Sequence, residues 1–132
     1  MVLRFLVLII ALFILILGSV YSANAQVQVD FFTNIEEVLG GNEFVAETDK
    51  VELIISSNSL RFGTPILMEN VDKKSNVFGK TVDFPFNMKG NNVNYKFRVT
   101  LKGTVHNEDL QRVIKVAESA STDTLYFNTY IW

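Results

Sequence analysis

Residues 93–105 read VNYKFRVTLKGTV, and they carry the strongest structural signal in the chain. The odd-numbered positions are apolar or small, beginning with Val93 and Tyr95, whereas the even-numbered positions are polar or charged. Strict alternation over thirteen residues is typical of a strand with one face on a core and the other in solvent. The pattern therefore predicts one long antiparallel strand over 93–105.

Shorter strand patterns precede this segment. Apolar and polar residues alternate from Val27 to Phe31, and a β-branched run covers Val51–Ser56. Residues 82–88 alternate again, but Pro85 cannot donate to a ladder, which predicts an edge strand or a bulge there. Between the first two strands, residues 34–41 end in two glycines and predict one or two helical turns.

The apolar period changes after His106. Asn107 is a suitable helix cap, and acidic residues follow it in the first turn. The spacing of the next apolar residues predicts an amphipathic helix that ends near Ser121, with Arg112, Lys115 and Glu118 facing solvent. That apolar face consists of Leu110, Val113, Ile114, Ala117 and Ala120. An aromatic segment, residues 124–132, predicts a final strand.

These elements together predict an α+β fold that is predominantly β. We expect a small antiparallel sheet or sandwich, with one C-terminal amphipathic helix followed by a final strand. Because the part after the leader is about 107 residues long, we expect a single domain over 26–132.

The first 25 residues are typical of a secretory signal peptide. Arg4 precedes thirteen consecutive apolar residues, Phe5–Leu17, and Ala23-Asn24-Ala25 supplies the small residues that signal peptidase accepts. Cleavage would leave Gln26 at the N-terminus, and we expect a secreted or periplasmic protein. If the leader is retained, residues 2–21 approach the length of a membrane span, and the domain is membrane-anchored.

Composition excludes several function classes. Arg4 is the only charged residue before Gln26, so residues 26–132 carry eleven basic and fourteen acidic side chains, a balance that argues against nucleic-acid binding. The absence of cysteine excludes disulfides, zinc–thiolate sites and thiol nucleophiles. The absence of disulfides and of glycosylation acceptors favours a prokaryotic source.

The sequence offers no candidate catalytic, cofactor-binding or metal-ligating residue. His106 is the only histidine and has no evident partner for metal binding or nucleophilic catalysis. The oxygen-rich loop 70–76 lacks the calcium-loop spacing and contains two lysines, so a solvated loop is expected. The glycines form no phosphate-binding motif. We therefore expect no enzyme and no cofactor.

One cluster of side chains does suggest contact with a partner. Lys96, Arg98 and Lys102 fall on the polar face of the long strand, where alternate residues lie about 6.5–7 Å apart. They form a short basic stripe. It is either a solvated face that discourages edge pairing or a contact for an anionic surface, such as lipid head groups or an acidic partner.

Residues 96–120 resemble the second half of a BON domain. The matching residues are Val99–Val105, which read VTLKGTV, and the predicted helix from Asn107 to Ala120. The first helix of that family is not evident upstream, and the usual glycine before the last strand is absent. The resemblance implies an exported, non-enzymatic module that associates with phospholipid or envelope partners.

We therefore expect an exported, non-enzymatic binding or structural domain of the cell envelope, in contact with anionic lipid or an envelope partner. The alternative is a self-assembling filament or pilus subunit. In that case residues 26–32 would complete the sheet of a neighbouring copy by strand addition.

Overall fold

The computed structural model of the protein describes residues 25–56, 63–72 and 74–128, so the predicted leader lies outside it up to residue 24. Two β-sheets pack face to face around one apolar core. The strands are β1 (Gln26–Asn34), β2 (Lys50–Ser56), β3 (Ile66–Leu67), β4 (Glu69–Asn70), β5 (Val77–Pro85), β6 (Asn92–Leu101), β7 (Thr104–Asn107), β8 (Arg112–Lys115), β9 (Ala120–Ser121) and β10 (Leu125–Tyr126). One helical turn, α1 (Glu36–Leu39), follows β1, and a 3-10 turn, Phe86–Met88, follows β5.

Sheet I has the strand order β10-β1-β5-β4, with β9 also beside β1. Strand β1 is antiparallel to β5 over its whole length, from Gln26 opposite Pro85 to Asn34 opposite Val77. Its other edge is occupied by β9 and β10, which run parallel to it. The predicted N-terminal strand is confirmed, and it lies in the interior of its sheet.

Sheet II has the order β3-β2-β6-β7, with β8 also beside β6. Strands β2 and β6 are antiparallel from Lys50 opposite Thr100 to Ser56 opposite Asn94. On the far side of β6, β7 covers its C-terminal half and β8 its N-terminal half. The strand predicted over 51–56 is confirmed.

The core lies between the two sheets and is rich in aromatic and β-branched side chains. Phe31 of sheet I meets Tyr95 of sheet II edge to face, with ring centroids 5.0 Å apart. Fully burying a side chain of this kind contributes about 1.5–3 kcal/mol, so these contacts dominate stability. The most buried core residues are Phe31, Phe84, Phe97, Ile35, Leu53, Val27, Val29, Val51, Val93, Val99 and Val116.

The predicted C-terminal amphipathic helix is wrong, and with it the α+β class. Residues 107–121 instead hold the end of β7 and the whole of strands β8 and β9. Alternate residues of β8 face the core, and the first of them is Arg112, opposite Tyr95. Its charge is neutralised by Glu108, also buried. Because a charged residue, Arg112, takes a buried position of β8, the alternation of apolar and polar residues that marks a strand is absent from the sequence. The apolar residues around it happen to have helical spacing.

The single strand predicted over 93–105 is also wrong at its C-terminal end. Strand β6 stops at Leu101, and Lys102 and Gly103 form a two-residue hairpin turn that leads into β7. Both turn residues have positive φ, +49° and +82°, as a type I′ turn requires. A two-residue turn puts residues 101 and 104 on the same face, so Val105 faces outward and the apolar alternation in sequence no longer marks the core beyond Leu101.

Two smaller predictions are only partly correct. The strand over 82–88 ends at Pro85, and β4 covers β5 only as far as Gly79, so Pro85 lies where β5 has a single neighbour in the described chain. Of the predicted final strand, Leu125–Tyr126 pair with β1, and residues 129–132 lie outside the described residues. Within the described residues, no helix has the length and apolar character needed to cross a bilayer.

Candidate functional site

The outer face of sheet II is the main candidate surface. Along β2 and β6 the inward residues are buried, which leaves the alternate positions facing away from the core. These outward positions carry four cations, namely Lys50 in β2, Lys96 and Arg98 in β6, and Lys115 in β8. One carboxylate, Glu52, shares the surface. We call this surface the cationic face.

Glu52 neutralises part of this charge. Its Oε2 accepts from Nε of Arg98 at 2.9 Å and lies 2.9 Å from Nη2 in an ion pair, and its Oε1 lies 3.3 Å from Nζ of Lys50. The Glu52 side chain is only 9% exposed, whereas Lys50 is half exposed. Lys96 and Lys115 form no ion pair with any described residue. The face therefore keeps a net positive charge despite the carboxylate at its centre.

The predicted stripe is only partly assembled on this face. Lys96 and Arg98 share it, but Lys102 lies in the β6–β7 turn. The backbone N–H of Lys102 donates to Oδ1 of Asp49 at 2.8 Å. This hydrogen bond, followed by a second one from the N–H of Val45, lowers the pKa of Asp49. His106 is opposite the inward-facing Val99 and so lies on the other side of the sheet.

Aliphatic side chains lie at both margins of the cationic face. Leu67 is opposite Glu52 at the β3 edge and is 58% exposed. At the other edge, Val105 is opposite Thr100 and Val113 is opposite Asn94, and they are 52% and 58% exposed. The cations of β2 and β6 lie between these margins together with Ile54, which is opposite Lys96, and Lys115 shares the β8 edge with Val113.

Thr100 is an unusual member of the face. It is only 8% exposed, although it points away from the core. In the part of the chain that the structure describes, its Oγ1 is the one buried side-chain polar atom without a hydrogen-bond partner. A small pocket of about 150 Å³ lies beside Lys96 and is lined by Ser56, Tyr95, Lys96, Asp109 and Gln111.

The outer face of sheet I has the opposite charge. The outward positions of β1 and β5 include Asp30 and Asp83 and no cation. Asp30 accepts from the Thr81 hydroxyl at 2.5 Å, and Asp83 accepts from the Gln28 amide at 3.0 Å. The two outer faces of the sandwich therefore differ in sign, which makes the domain electrostatically polar.

The oxygen-rich loop is folded around its own backbone. Oδ1 of Asn70 accepts from the N–H of Asp72, and Nδ2 of Asn70 donates to the carbonyl of Ser75. Oδ1 of Asp72 accepts from the N–H of Lys74. Among the residues described, no group of three histidine or acidic side chains could hold a metal ion. These amide and carboxylate groups stabilise the loop.

Sequence reasoning missed several members of the cationic face. Glu52 lies on a strand that it identified, and alternation along that strand was sufficient to place it outward, whereas Lys50 precedes the strand predicted over 51–56. Lys115 was assigned to the helix that does not form. Nothing in the sequence marks Thr100, because its burial depends on neighbours from β2 and β7.

Comparisons with known proteins give little beyond the architecture described above. No family model matches the chain, and no curated protein matches it either. Among solved structures it is similar to a carbohydrate-binding module, CBMd of family CBM41, from Eubacterium rectale Amy13K. The TM-score is 0.49 at 15% sequence identity, over 77% of this chain and 87% of that one. A likeness of this size identifies neither a family nor a ligand. The resemblance to a BON domain stays a prediction, without the helix it implied.

Proposed function

We propose that this chain is an exported, non-enzymatic binding domain that contacts anionic lipid head groups through the cationic face. The observation that carries the proposal is the composition of that face, where four cations and one carboxylate share a surface with exposed aliphatic side chains. Cations beside apolar groups suit the boundary between head groups and acyl chains.

Electrostatic attraction would come first from Lys96 and Lys115, the two cations of the cationic face that form no ion pair with a described residue. A lysine near an anionic membrane contributes about 1 kcal/mol to binding. The carboxylates on the outer face of sheet I would favour the same orientation, because an anionic surface repels them. Leu67, Val105 and Val113 would add the burial of exposed apolar area.

The first 25 residues predict export, and an exported domain that stays in the cell envelope would lie beside a membrane. Cleavage after Ala25 would leave β1 intact, since the strand begins at Gln26. We expect N-terminal sequencing or intact mass of the protein from an exporting host to show Gln26 as the first residue. A protein that keeps residues 1–25 would be held at the membrane by its leader, and the cationic face would then act as a second contact.

Vesicle co-sedimentation tests the proposed contact. The purified protein should sediment with phosphatidylcholine vesicles that contain phosphatidylglycerol and remain in solution with phosphatidylcholine alone. Lys96→Glu and Lys115→Glu should each weaken binding about fivefold or more. Lys74→Glu, the same change at an exposed loop position between β4 and β5, is the matched control. Equal sedimentation with both vesicle types, or an equal effect of Lys74→Glu, would overturn the proposal.

The mass of the protein in solution distinguishes the filament alternative from the lipid-binding proposal. Strand addition through residues 26–32 would require β1 to leave both of its neighbours, because β5 occupies one edge and β9 and β10 occupy the other. Light scattering should therefore give a monomer mass. Polymers visible by negative-stain microscopy would replace the lipid proposal with assembly.

A further inference from the structure

We infer that Thr100 and Lys50 form a subsite for a phosphate group within the cationic face, with Arg98 in support. This inference rests on the proposed function and names the part of the head group that the face recognises. The Thr100 hydroxyl is buried and has no hydrogen-bond partner among the described residues. A buried hydroxyl without a hydrogen bond costs stability, and such a group in a folded protein calls for an explanation.

The neighbours of Thr100 fit an anion. The register places Lys50 directly opposite it on β2, at the usual Cβ separation of about 4.5–5.5 Å. Arg98 precedes it by two residues on the same face of β6, about 7 Å away. The hydroxyl therefore lies within reach of two cationic side chains, and a hydroxyl and an ammonium group are both donors to phosphate oxygens.

In the absence of an anion, the carboxylate of Glu52 pairs with the two cations of the subsite. It holds Arg98 through two donors, but it holds Lys50 through one contact at 3.3 Å, and Lys50 is 49% exposed. The single 3.3 Å contact of the half-exposed Lys50 contributes little, and Arg98 keeps the Glu52 carboxylate paired, so Lys50 can turn from Glu52 to a phosphate at small cost. Arg98 would remain on Glu52 and neutralise the carboxylate that would otherwise repel the anion.

Access to the hydroxyl requires a neighbouring side chain to move, because Oγ1 is covered in this structure. Lys50 is an exposed and weakly held neighbour, and Val105, opposite Thr100 on β7, is exposed as well. One phosphate oxygen would then accept from the Thr100 hydroxyl, and a second would accept from the Lys50 ammonium. Both donors would be satisfied, and the unpaired hydroxyl would gain the partner that it lacks.

The test compares Thr100→Val with wild type, using inorganic phosphate in titration calorimetry and the same two vesicle types. Valine has the shape of threonine without the hydroxyl, so the variant should fold and be at least as stable. Its phosphate affinity should fall by about tenfold or more, the effect of losing one hydrogen bond to a charged group. Thr104→Val, at an exposed position of β7, should leave phosphate binding unchanged.

Lys50→Gln should weaken phosphate binding as well, whereas Lys74→Gln should not. If Thr100→Val binds phosphate and anionic vesicles as wild type does, the subsite is overturned, although the cationic face stands while Lys96→Glu still weakens vesicle binding. If wild type binds no phosphate, the subsite is also overturned. If phosphate binds through Thr100 but neither vesicle type sediments the protein, the subsite is supported and the lipid proposal fails.

Discussion

Glu108 and Arg112 form an ion pair inside the sandwich, and the pair also closes the end of the core. Their side chains are 0% and 6% exposed, with Arg112 Nη2 2.6 Å from Glu108 Oε1. The Glu108 carboxylate also accepts from the backbone N–H groups of Phe97 and Asn128 at 3.1 Å and 2.8 Å. One side chain therefore links β6, the start of β8 and the segment after β10.

Removing one member of this pair should be costly. Glu108→Gln removes the carboxylate charge that pairs with Arg112, and breaking a buried ion pair costs about 3–5 kcal/mol. We expect the free energy of unfolding in urea to fall by that amount. The control is Glu69→Gln, which breaks an exposed pair with Lys80 and should cost at most about 1 kcal/mol. Equal effects of the two substitutions would contradict the structural role assigned to Glu108.

Asp49 is a second residue whose charge stabilises the backbone. It accepts from the N–H groups of Lys102 and Val45, and these hydrogen bonds hold the pKa of its carboxyl below the ordinary value of 3.8. A lowered folded-state pKa means that the ionised group stabilises the fold above that ordinary value. The contribution is lost as the pH falls through the folded-state pKa.

Asp49→Asn should therefore destabilise the protein at neutral pH, because the carboxylate charge is lost. The difference from wild type should shrink as the pH is lowered through and below the folded-state pKa of Asp49. Urea unfolding across the acid range measures this difference. A constant difference between Asp49→Asn and wild type at every pH would contradict the assignment.

At the scale of elements, the β6–β7 hairpin depends on its two turn residues. Lys102 adopts a φ of +49°, which is unfavourable for a residue other than glycine or asparagine, and Gly103 adopts +82°. Asn-Gly is the sequence that a type I′ turn prefers. The turn thus contains one unfavourable residue and one required one.

Substitutions at the two turn residues should change the free energy of unfolding in opposite directions. Lys102→Asn relieves the unfavourable conformation and should raise the free energy of unfolding by about 0.5 kcal/mol. Gly103→Ala introduces a Cβ at positive φ and should lower it by about 1–2 kcal/mol. No heavy atom lies within 4 Å of that Cβ, so the cost is conformational. Thermal and urea unfolding measure both, and a neutral Gly103→Ala would exclude the type I′ turn.

At the scale of the whole molecule, charge is divided between the two outer faces. The outward positions of β1 and β5 on sheet I carry carboxylates without cations, and sheet II carries four cations around Glu52. This division is invisible in the net charge of the chain, which is only −2. It gives the domain an orientation in the field of a charged surface.

Binding to anionic vesicles should therefore weaken as salt is added. The Debye length falls from about 10 Å at 0.1 M to about 3 Å at 1 M salt, which screens exposed charges such as Lys96 and Lys115. Wild type should lose affinity steeply across this range in a co-sedimentation series. Lys96→Glu combined with Lys115→Glu should give a flatter dependence, and Asp30→Asn combined with Asp83→Asn should not weaken binding. Salt-independent binding would show that the cations are not the contact.

Some of the strands are predictable from the amino-acid sequence alone, because their inward side chains are apolar. The existence of β1 and β2 could be read from residue type alone, although β1 extends beyond the predicted 27–31, to Gln26–Asn34. The single turn α1 was likewise predicted, because Gly40 ends it in the left-handed conformation. Lys96 and Arg98 were placed on one face for the same reason. Local pattern is sufficient where each side chain goes to the environment its polarity favours.

The secondary structure of the chain after Leu101 depends on tertiary contacts, which the local sequence does not show. Glu108 and Arg112 are four residues apart, a spacing typical of an exposed helical ion pair, yet both are buried. Their burial is possible because Glu108 accepts N–H groups from Phe97 and Asn128, which are distant in sequence. The covered hydroxyl of Thr100 likewise depends on its neighbours in β2 and β7. A buried polar group is stable only with partners that the finished fold brings to it, so no local pattern could reveal these positions.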